Sequence, residues 1–317
     1  MHNKPKNVIL TLHYNQPEIT LICIESILNL TEENFVLYIV DNFSIEEKYQ
    51  LLKNRLPEDE RVKIIRTPRN LGYGKGINFG LEKTKHLEAD YWLIMNNDTI
   101  IDSYALTELM HTAEKYDRNA IVSGKIYNLD DPTRIQYIGG IYSEEKIFYN
   151  PYQHEIDIGQ ADHEMEMEMI DDIFWLLPNK IFQKLGGYCP YYFMYGEQSD
   201  YAEQAKKNGF KLIYNPKAKL WHKGQVSSGE YNNNSIAHYW RSKSGMIFYF
   251  RNRSKKYFIQ YFLKTFSRSM VKLILFFFTK DSFMNHLARF LGIISFIKWV
   301  FIREVDYGYN PFIKREK

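Results

Sequence analysis

Asn96-Asn97-Asp98 closes the apolar run Tyr91-Trp92-Leu93-Ile94-Met95 with two amides and a carboxylate, groups that are costly to bury without partners. The run reads as a buried strand. A carboxylate at the carboxyl end of such a strand in an α/β sheet lies where ligands bind. One carboxylate flanked by amides can hold a hard cation when a substrate diphosphate completes the shell. The same three residues also make an ordinary turn, and both readings stand at this stage. Asp41 ends a second apolar run, Phe35 to Val40. Glu197 and Asp200, three apart at a helix start, share one face, either as reactive carboxylates or as first-turn acids that favour the helix dipole. His222 follows the short strand Ala218–Trp221 and precedes a loop with Ser227, Ser228 and Gly229, as a ligand or as a structural histidine. From Arg69 to Gly80 the chain carries glycines at 72, 74, 76 and 80. They allow close backbone approach to a ligand and lead into a helix whose first amides could face an anion. The spacing is neither the dinucleotide fingerprint nor a Walker loop.

The elements that must position these groups alternate. Residues 8–14 form a strand, and Pro17 suits the first turn of a helix carrying Ile19, Leu21, Ile22, Ile24, Ile27 and Leu28. A strand at 35–40, a helix at 46–56, a strand at 62–65, the strand before Asp98, a helix at 103–116 and a strand at 120–126 follow. Strand and helix in alternation mean a parallel sheet with right-handed crossovers. From Asn128 to Tyr152 hairpins and loops are expected. Glu164 to Met169 alternates with period two and reads as a half-exposed strand with solvated glutamates. Asn179–Leu185 is a helix stopped by Gly186-Gly187, Tyr201–Asn208 another, and 211–214 and 218–221 two short strands.

At 317 residues the chain can bury a full core, as one large domain or two smaller ones. Two cysteines, Cys23 and Cys189, make neither a disulfide framework nor a metal set, which suits a reducing cytosolic location. The polar start, with His2, Lys4 and Lys6, precedes too short an apolar run for a signal peptide. Charge is uneven: from Arg251 onward there are 14 Lys and Arg against 4 Asp and Glu, a net of +10, which leaves −7 for residues 1–250 of a chain at +3. A mildly acidic body with a basic aromatic tail argues against a nucleic-acid binder and suits an enzyme that sits against an anionic membrane face.

Taken in order, Tyr14-Asn15, Val40-Asp41-Asn42, Arg69-Asn70-Leu71-Gly72 to Asn78-Phe79-Gly80, Asn96-Asn97-Asp98, Gly186-Gly187-Tyr188, Tyr195-Gly196-Glu197 to Asp200, and Trp221-His222 resemble family 2 glycosyltransferases. The resemblance is nearest to the bacterial rhamnosyltransferase-like branch that builds capsule and O-antigen, and it covers about residues 8–250. It implies an α/β GT-A fold, a Rossmann-like nucleotide-binding half fused to an acceptor-binding half around a mixed central sheet, over residues 1–250; the shift in composition beyond it sets off a C-terminal helical tail over 251–317. It implies that Tyr14, Asn15 and Asp41 hold the pyrimidine of a UDP- or dTDP-sugar, and that Asn70, Gly72, Asn78 and Asn97 line the nucleotide pocket. Asp98 and His222 would bind Mn2+ or Mg2+, and a carboxylate of the 197–200 group would deprotonate the acceptor hydroxyl, with inversion at the anomeric carbon. The family commonly places that base at the second position of the group. Here it is Gln198, which leaves Glu197 and Asp200 as candidates. Asp171, Asp172 and Trp175 stand where the acceptor wall begins, Trp175 as a sugar-facing ring or as a buried one. Lys243 matches a basic residue of the relatives.

The tail, with Met270–Phe278 and Leu287–Ile302 its most apolar runs, is too interrupted to span a bilayer. It reads as amphipathic helices that lie in the interface of the cytoplasmic leaflet, or that pack on the catalytic domain or form a homodimer contact. The expected protein is thus cytoplasmic and peripheral on the inner face of the cell membrane, with a glycan or lipid-linked oligosaccharide as acceptor and no nucleic acid. A catalytically silent GT-A scaffold is the alternative. A sugar nucleotidylyltransferase would need a basic glycine-rich loop after the first strand, where His13-Tyr14-Asn15-Gln16-Pro17 stands instead.

Overall fold

A computed structural model describes residues 6–142, 148–224, 235–276 and 282–313. His2 and Lys4, the Ser227–Gly229 loop and the end of the Met270–Phe278 run lie outside the described residues. The chain forms two compact units, one of Met1–Asn70, Gly76–Tyr188 and Tyr201–Ser227, the other of Leu71–Lys75, Cys189–Asp200 and Ser228–Lys317.

The first unit is built on β1 (Asn7–His13), α1 (Pro17–Leu28), β2 (Phe35–Asp41), α2 (Glu46–Arg55), β3 (Val62–Arg66), α3 (Tyr73–Thr84), β4 (Tyr91–Asn96), β5 (Thr99–Ile101), α4 (Ala105–Lys115) and β6 (Ala120–Asn128). After these come β7 (Ile135–Tyr137), β8 (Ile141–Tyr142), β9 (Phe148–Tyr149), β10 (Met165–Glu166), β11 (Phe174–Pro178), α5 (Asn179–Leu185), α6 (Glu197–Lys207) and β12 (Lys211–His222). The first turns of α3 and α6 belong to the second unit. The main sheet runs β10-β12-β6-β11-β4-β1-β2-β3, with β5 added on β12 and β7 on β6. β3, β2, β1 and β4 are mutually parallel, whereas β11 enters antiparallel between β4 and β6. The sheet is therefore mixed, with a Rossmann-like parallel half. β1, β4 and β11 are buried almost throughout, as strands covered on both faces must be, and for that reason they read as unbroken apolar runs.

The chain turns back at β1: β2 and β3 add on one side and β4 on the other. Such a reversal leaves a crevice at the carboxyl ends of the strands. The register places His13 opposite Asp41 and Leu12 opposite Asn96, so the ends of β1, β2 and β4 are level.

Some local expectations change. The strands expected at 211–214 and 218–221 are one strand, β12, with a register shift between Asn215 and Lys219. Asn215 leaves the ladder there, because its Nδ2 donates to Glu108 O and Thr112 Oγ1 on α4 (3.1 and 2.8 Å). Of the alternating 164–169 segment only Met165–Glu166 forms a strand, paired with β12, while Met169 makes an isolated antiparallel bridge to Gly140. The helix expected from Tyr201 begins four residues earlier, at Glu197.

The second unit holds α7 (Ser235–Asn252), α8 (Lys255–Ile274) and α9 (Phe283–Ile302). Its core joins Tyr192, Met246, Ile247, Ile293, Phe296 and Trp299. The segment after α9 is pinned by Asp306, whose carboxylate accepts from Lys243 Nζ at 2.7 Å and whose carbonyl accepts from Lys75 Nζ. Lys243 is thereby neutralised inside the unit.

Candidate functional site

Asp98 follows β4 and is 1% exposed. The antiparallel pairing of β5 with β12 sets Thr99 opposite His222, and Lys223 N donates to Asp98 O at 2.9 Å. These contacts bring His222 Nε2 to 3.2 Å from Asp98 Oδ1. Gln136 Oε1 lies 2.8 Å from His222 Nδ1. An amide oxygen only accepts, so Nδ1 carries a proton; in the neutral ring Nε2 then presents a lone pair to the carboxylate. Asp98 Oδ1 has no hydrogen-bond donor among the described residues. Two buried acceptors at this separation need a cation or a proton between them.

The donor set fits a divalent cation. Oxygen with one neutral imidazole suits Mn2+, and a separation near 3 Å is about that of neighbouring ligands in an octahedral shell with bonds of about 2.1 Å. The Gln136 contact on the far ring nitrogen is the usual support of a metal-bound histidine. Among the described residues no set of three or more His, Cys, Asp or Glu could hold a metal ion.

Asn97 turns inward: its Nδ2 donates to Thr20 Oγ1 at 2.8 Å, and the same hydroxyl lies 2.8 Å from His13 Nδ1. His13 Nε2 in turn lies 3.9 Å from Asp41 Oδ1. A buried polar chain, Asn97–Thr20–His13–Asp41, thus joins the ends of β4, β1 and β2. Burial holds the His13 pKa at about 4, below its ordinary 6.5.

Asp41 has no exposed side-chain surface, and Arg66 Nε stands 3.1 Å from its Oδ2. Ser44 N faces both carboxylate oxygens (3.4 and 3.3 Å). Burial raises the Asp41 pKa, against the hydrogen bonds of Ser44 and the charge of Arg66. Arg66 also donates to Glu46 Oε2 and Ser44 O and lies over the Tyr49 ring. Asn15, in the left-handed region at φ 58°, accepts from Ile45 N and donates its own N–H to Ser44 Oγ, both at 2.8 Å. Tyr14 beside it is half-buried. Asn42 Nδ2 donates to Asn70 Oδ1 at 3.1 Å.

Other expected pocket residues are committed elsewhere. Asn78 exchanges two hydrogen bonds with the Tyr188 backbone, donating at 2.8 Å and accepting at 2.7 Å. Gly72 has φ +78°, and a Cβ there would meet Phe193 O at 2.1 Å. A Cβ on Gly76 would meet Leu12 Cδ1 at 2.5 Å. On their Cβ sides these glycines permit close packing of protein on protein.

The expected acceptor wall divides. Trp175 is wholly buried, stacked on Tyr188 (6.2 Å, 8°) with Tyr201 at 5.9 Å. Asp172 is buried and accepts from Tyr188 OH at 2.7 Å. Neither offers a face to a sugar, so the expected sugar-facing ring is corrected to a core ring. Asp171 stays half-buried, its Oδ1 accepting from Ile173 N at 3.0 Å. Burial raises its pKa, opposed by the Ile173 hydrogen bond and by nearby His222.

In the second unit Tyr195 (φ 67°) and Gly196 (φ 85°) make a tight left-handed turn into α6, and Glu197 behind it is 3% exposed. Asp200, 1% exposed, accepts from Tyr192 OH (3.2 Å), Arg251 Nε (3.0 Å) and Asn252 Nδ2 (2.6 Å). Both of its oxygens are engaged, since Arg251 Nη2 also donates to Oδ2 at 3.2 Å. That engagement distinguishes Asp200 from Glu197, the other candidate base. Sequence reasoning passed over His13, Thr20, Arg66, Gln136 and Arg251. For Arg66 and Arg251 the signal was a lone cation at the end of a strand or helix. Gln136 had none, since only the fold carries β7 to His222.

The glycosyl transferase family 2 model matches residues 8–174, just over half of the chain. Glycosyltransferase GlyG of Streptococcus pneumoniae is 24% identical over 118 residues, 37% of this chain and 38% of that protein. An N-acetylglucosaminyl-diphospho-decaprenol L-rhamnosyltransferase of Mycobacterium tuberculosis is 24% identical over 219 residues, 63% and 70% of the two chains. Two solved structures share the fold. GalNAc-T7 with UDP, GalNAc and Mn2+ aligns at TM-score 0.54 and 15% identity, over 82% of this chain and 57% of that one. The mannosyltransferase PcManGT of Pyrobaculum calidifontis, with GDP-Man and Mn2+, aligns at TM-score 0.53 and 10% identity, over 97% and 78%. The chain thus spans well under half of the pneumococcal relative. The mixed sheet with its parallel Rossmann-like half is a GT-A fold, and the chain belongs to glycosyl transferase family 2.

Proposed function

We propose that this chain is an inverting, divalent-metal-dependent glycosyltransferase. It takes a sugar from a UDP- or dTDP-sugar and passes it to a glycan acceptor, lipid-linked, in bacterial surface polysaccharide synthesis. The observation that carries the reading is the Asp98 Oδ1–His222 Nε2 pair, buried and 3.2 Å apart, with no hydrogen-bond partner for Asp98 Oδ1 among the described residues. Asp98 and His222 would hold Mn2+ or Mg2+, whose chemistry when bound is Lewis-acid neutralisation of a departing nucleoside diphosphate. The Mn2+ in both solved relatives named above supports that choice. The mycobacterial relative's name supports a lipid diphosphate acceptor.

Asn15 and Tyr14 face the nucleobase, with Asp41 as acceptor for the N–H of uracil or thymine. Because Asp41 is sealed by Ser44 and Arg66, the turn at Phe43–Ile45 must give way to admit the base. Asn97 keeps the metal turn in register through Thr20. Glu197 takes the acceptor hydroxyl's proton as that oxygen attacks the anomeric carbon. The catalytic domain ends near residue 250, and the basic tail holds the enzyme, cytoplasmic and peripheral, against the inner face of the cell membrane.

Titration of the full chain with UDP- and dTDP-sugars, with and without Mn2+, tests this. Metal-dependent binding of one donor, lost in Asp98→Ala, is expected; equal binding by the variant removes the metal assignment. The second reading, a silent GT-A scaffold, is favoured by Gln198 at the family's usual base position together with the sequestered Asp200. It requires donor binding without turnover on any acceptor, and Glu197→Gln would then change nothing.

A further inference from the structure

α8 is uncomfortable in water. One side packs on α9, with Phe258 and Phe262 against Phe296 (5.7 and 6.4 Å) and Phe266 against Phe290 (5.8 Å). The outward side carries Ile259, Leu263, Met270 and Ile274, which are 54, 59, 41 and 69% exposed. Their spacing of four, seven and four places them within about a 60° arc of the helix at 100° per residue. Lys255, Lys256, Lys264, Arg268 and Lys272 are exposed on the same helix, which contains no acidic residue. None of the five has an ion-pair partner among the described residues.

A nucleic acid would be met by the cations but not by a row of bare aliphatic side chains, and a second copy seated on the stripe would leave Lys264, Arg268 and Lys272, on the opposite polar side, unanswered. An anionic bilayer satisfies both features, with acyl chains for the stripe and headgroups for the cations.

We infer that α8 is the membrane-docking element and lies flat on an anionic lipid surface, with Ile259, Leu263, Met270 and Ile274 in the acyl boundary and Lys264, Arg268 and Lys272 among the headgroups. α9 is long and apolar enough to cross a membrane by length and composition, but it stays in the protein. A Cβ on Gly292 would meet Tyr239 O at 2.5 Å, so α7 and α9 touch backbone to backbone. Ser242 Oγ donates to Arg289 O at 2.8 Å, Tyr239 OH to Ser295 Oγ at 2.9 Å, and the Arg289 guanidinium lies 3.2 Å from both His286 and His238. Moving α9 into lipid would strip all of these contacts. The inference deepens the peripheral location proposed above and does not depend on the transfer chemistry.

Flotation of the full chain with vesicles of phosphatidylglycerol in phosphatidylcholine, and of phosphatidylcholine alone, tests it. Binding to the anionic vesicles only is expected, released by alkaline carbonate. At roughly fivefold per cation near such a surface, Lys264→Gln/Arg268→Gln/Lys272→Gln lowers the partition constant about a hundredfold. Ile259→Ser/Leu263→Ser/Ile274→Ser abolishes binding, while both variants keep the parent's melting temperature because the altered side chains are exposed. Equal flotation on both vesicles, no flotation, or unaffected variants would overturn the inference. So would resistance to carbonate, which places α9 across the bilayer, or a dimer by light scattering that the α8 variants dissolve, which gives the face to a second copy.

Discussion

His13 Nε2 faces Asp41 Oδ1 across 3.9 Å, and neither side chain has any exposed surface. The ring's other nitrogen meets Thr20, which also receives Asn97. Residues that the sequence presents as three separate motif ends therefore share one buried polar chain under the carboxyl edge of the parallel strands. The Thr20 hydroxyl spends its one proton on Gln16 O at 2.8 Å, so it accepts from both Asn97 Nδ2 and the His13 Nδ1–H. The Nε2 lone pair of the neutral ring is then the atom turned toward Asp41.

That burial makes a pH prediction. The His13 pKa falls from 6.5 in the unfolded chain to about 4 in the fold, so between these values the unfolded state binds the extra proton. Stability attributable to His13 is complete above pH 6.5 and is lost as the pH falls towards 4, by about 3 kcal/mol in all. Asp41, raised by burial, acts in the opposite sense just above its ordinary range. Urea unfolding of the parent and His13→Gln from pH 7 to 4 should give curves that converge on acidification. Parallel curves would show that His13 does not titrate in this way.

Asp98→Asn separates function from stability. In a metal-free site with a neutral His222, the new Nδ2–H can donate to Nε2, which stands 3.2 Å from the Asp98 carboxylate in the parent. In metal-free buffer the variant should be as stable as the parent or firmer by about 1 kcal/mol, while Mn2+-dependent donor binding drops at least tenfold. A destabilised variant would mean that His222 is protonated and already paired with Asp98. Calorimetric melting with and without Mn2+ reads both quantities.

Legibility followed burial. β1, β4 and β11 were readable because strands covered on both faces must be apolar at every position, and the parallel order then follows from the alternation with helices. The Asp98–His222 meeting was reachable only through the family resemblance, since the β5–β12 pairing that creates it spans more than a hundred residues of chain. Trp175 and Asn78 were legible as residues but not as partners. Whether a ring or an amide faces a ligand or a neighbouring backbone depends on the opposite wall, and Tyr188 serves that purpose for both. The partners of Asp200 were hidden for a related reason. Two carboxylates three apart look equivalent on a helix, until a cation from α7 takes one of them.

Gly72→Ala should be severe. The backbone is left-handed, and the added carbon would sit 2.1 Å from Phe193 O, so main chain rather than a flexible side chain must move. A loss of about 3 kcal/mol is expected, more than the 1 kcal/mol typical of a strained φ alone. Gly209→Ala, also at positive φ but with nothing within 4 Å, is the control for backbone strain. Equal losses in the two, by thermal melting, would show that the Phe193 contact relaxes freely.

Glu197→Gln and Asp200→Asn should part company. Asp200 is bound by Arg251 Nε and Nη2 and by Asn252, so removing its charge leaves a half-buried guanidinium without its counter-ion and costs about 3 kcal/mol, at the low end for a buried pair because Arg251 keeps some exposure. Its kcat, measured well below the lowered melting temperature, should stay within a few-fold of the parent. Glu197→Gln keeps the shape of the side chain and should melt within about 1 kcal/mol of the parent, with kcat down by a hundredfold or more and KM for the donor unchanged, as expected when a general base is lost. The reverse pattern, a stable and inactive Asp200→Asn beside a near-normal Glu197→Gln, would return the base role to Asp200 and require Arg251 to release it during turnover. Loss in neither variant would leave both carboxylates structural and give weight to the silent-scaffold reading.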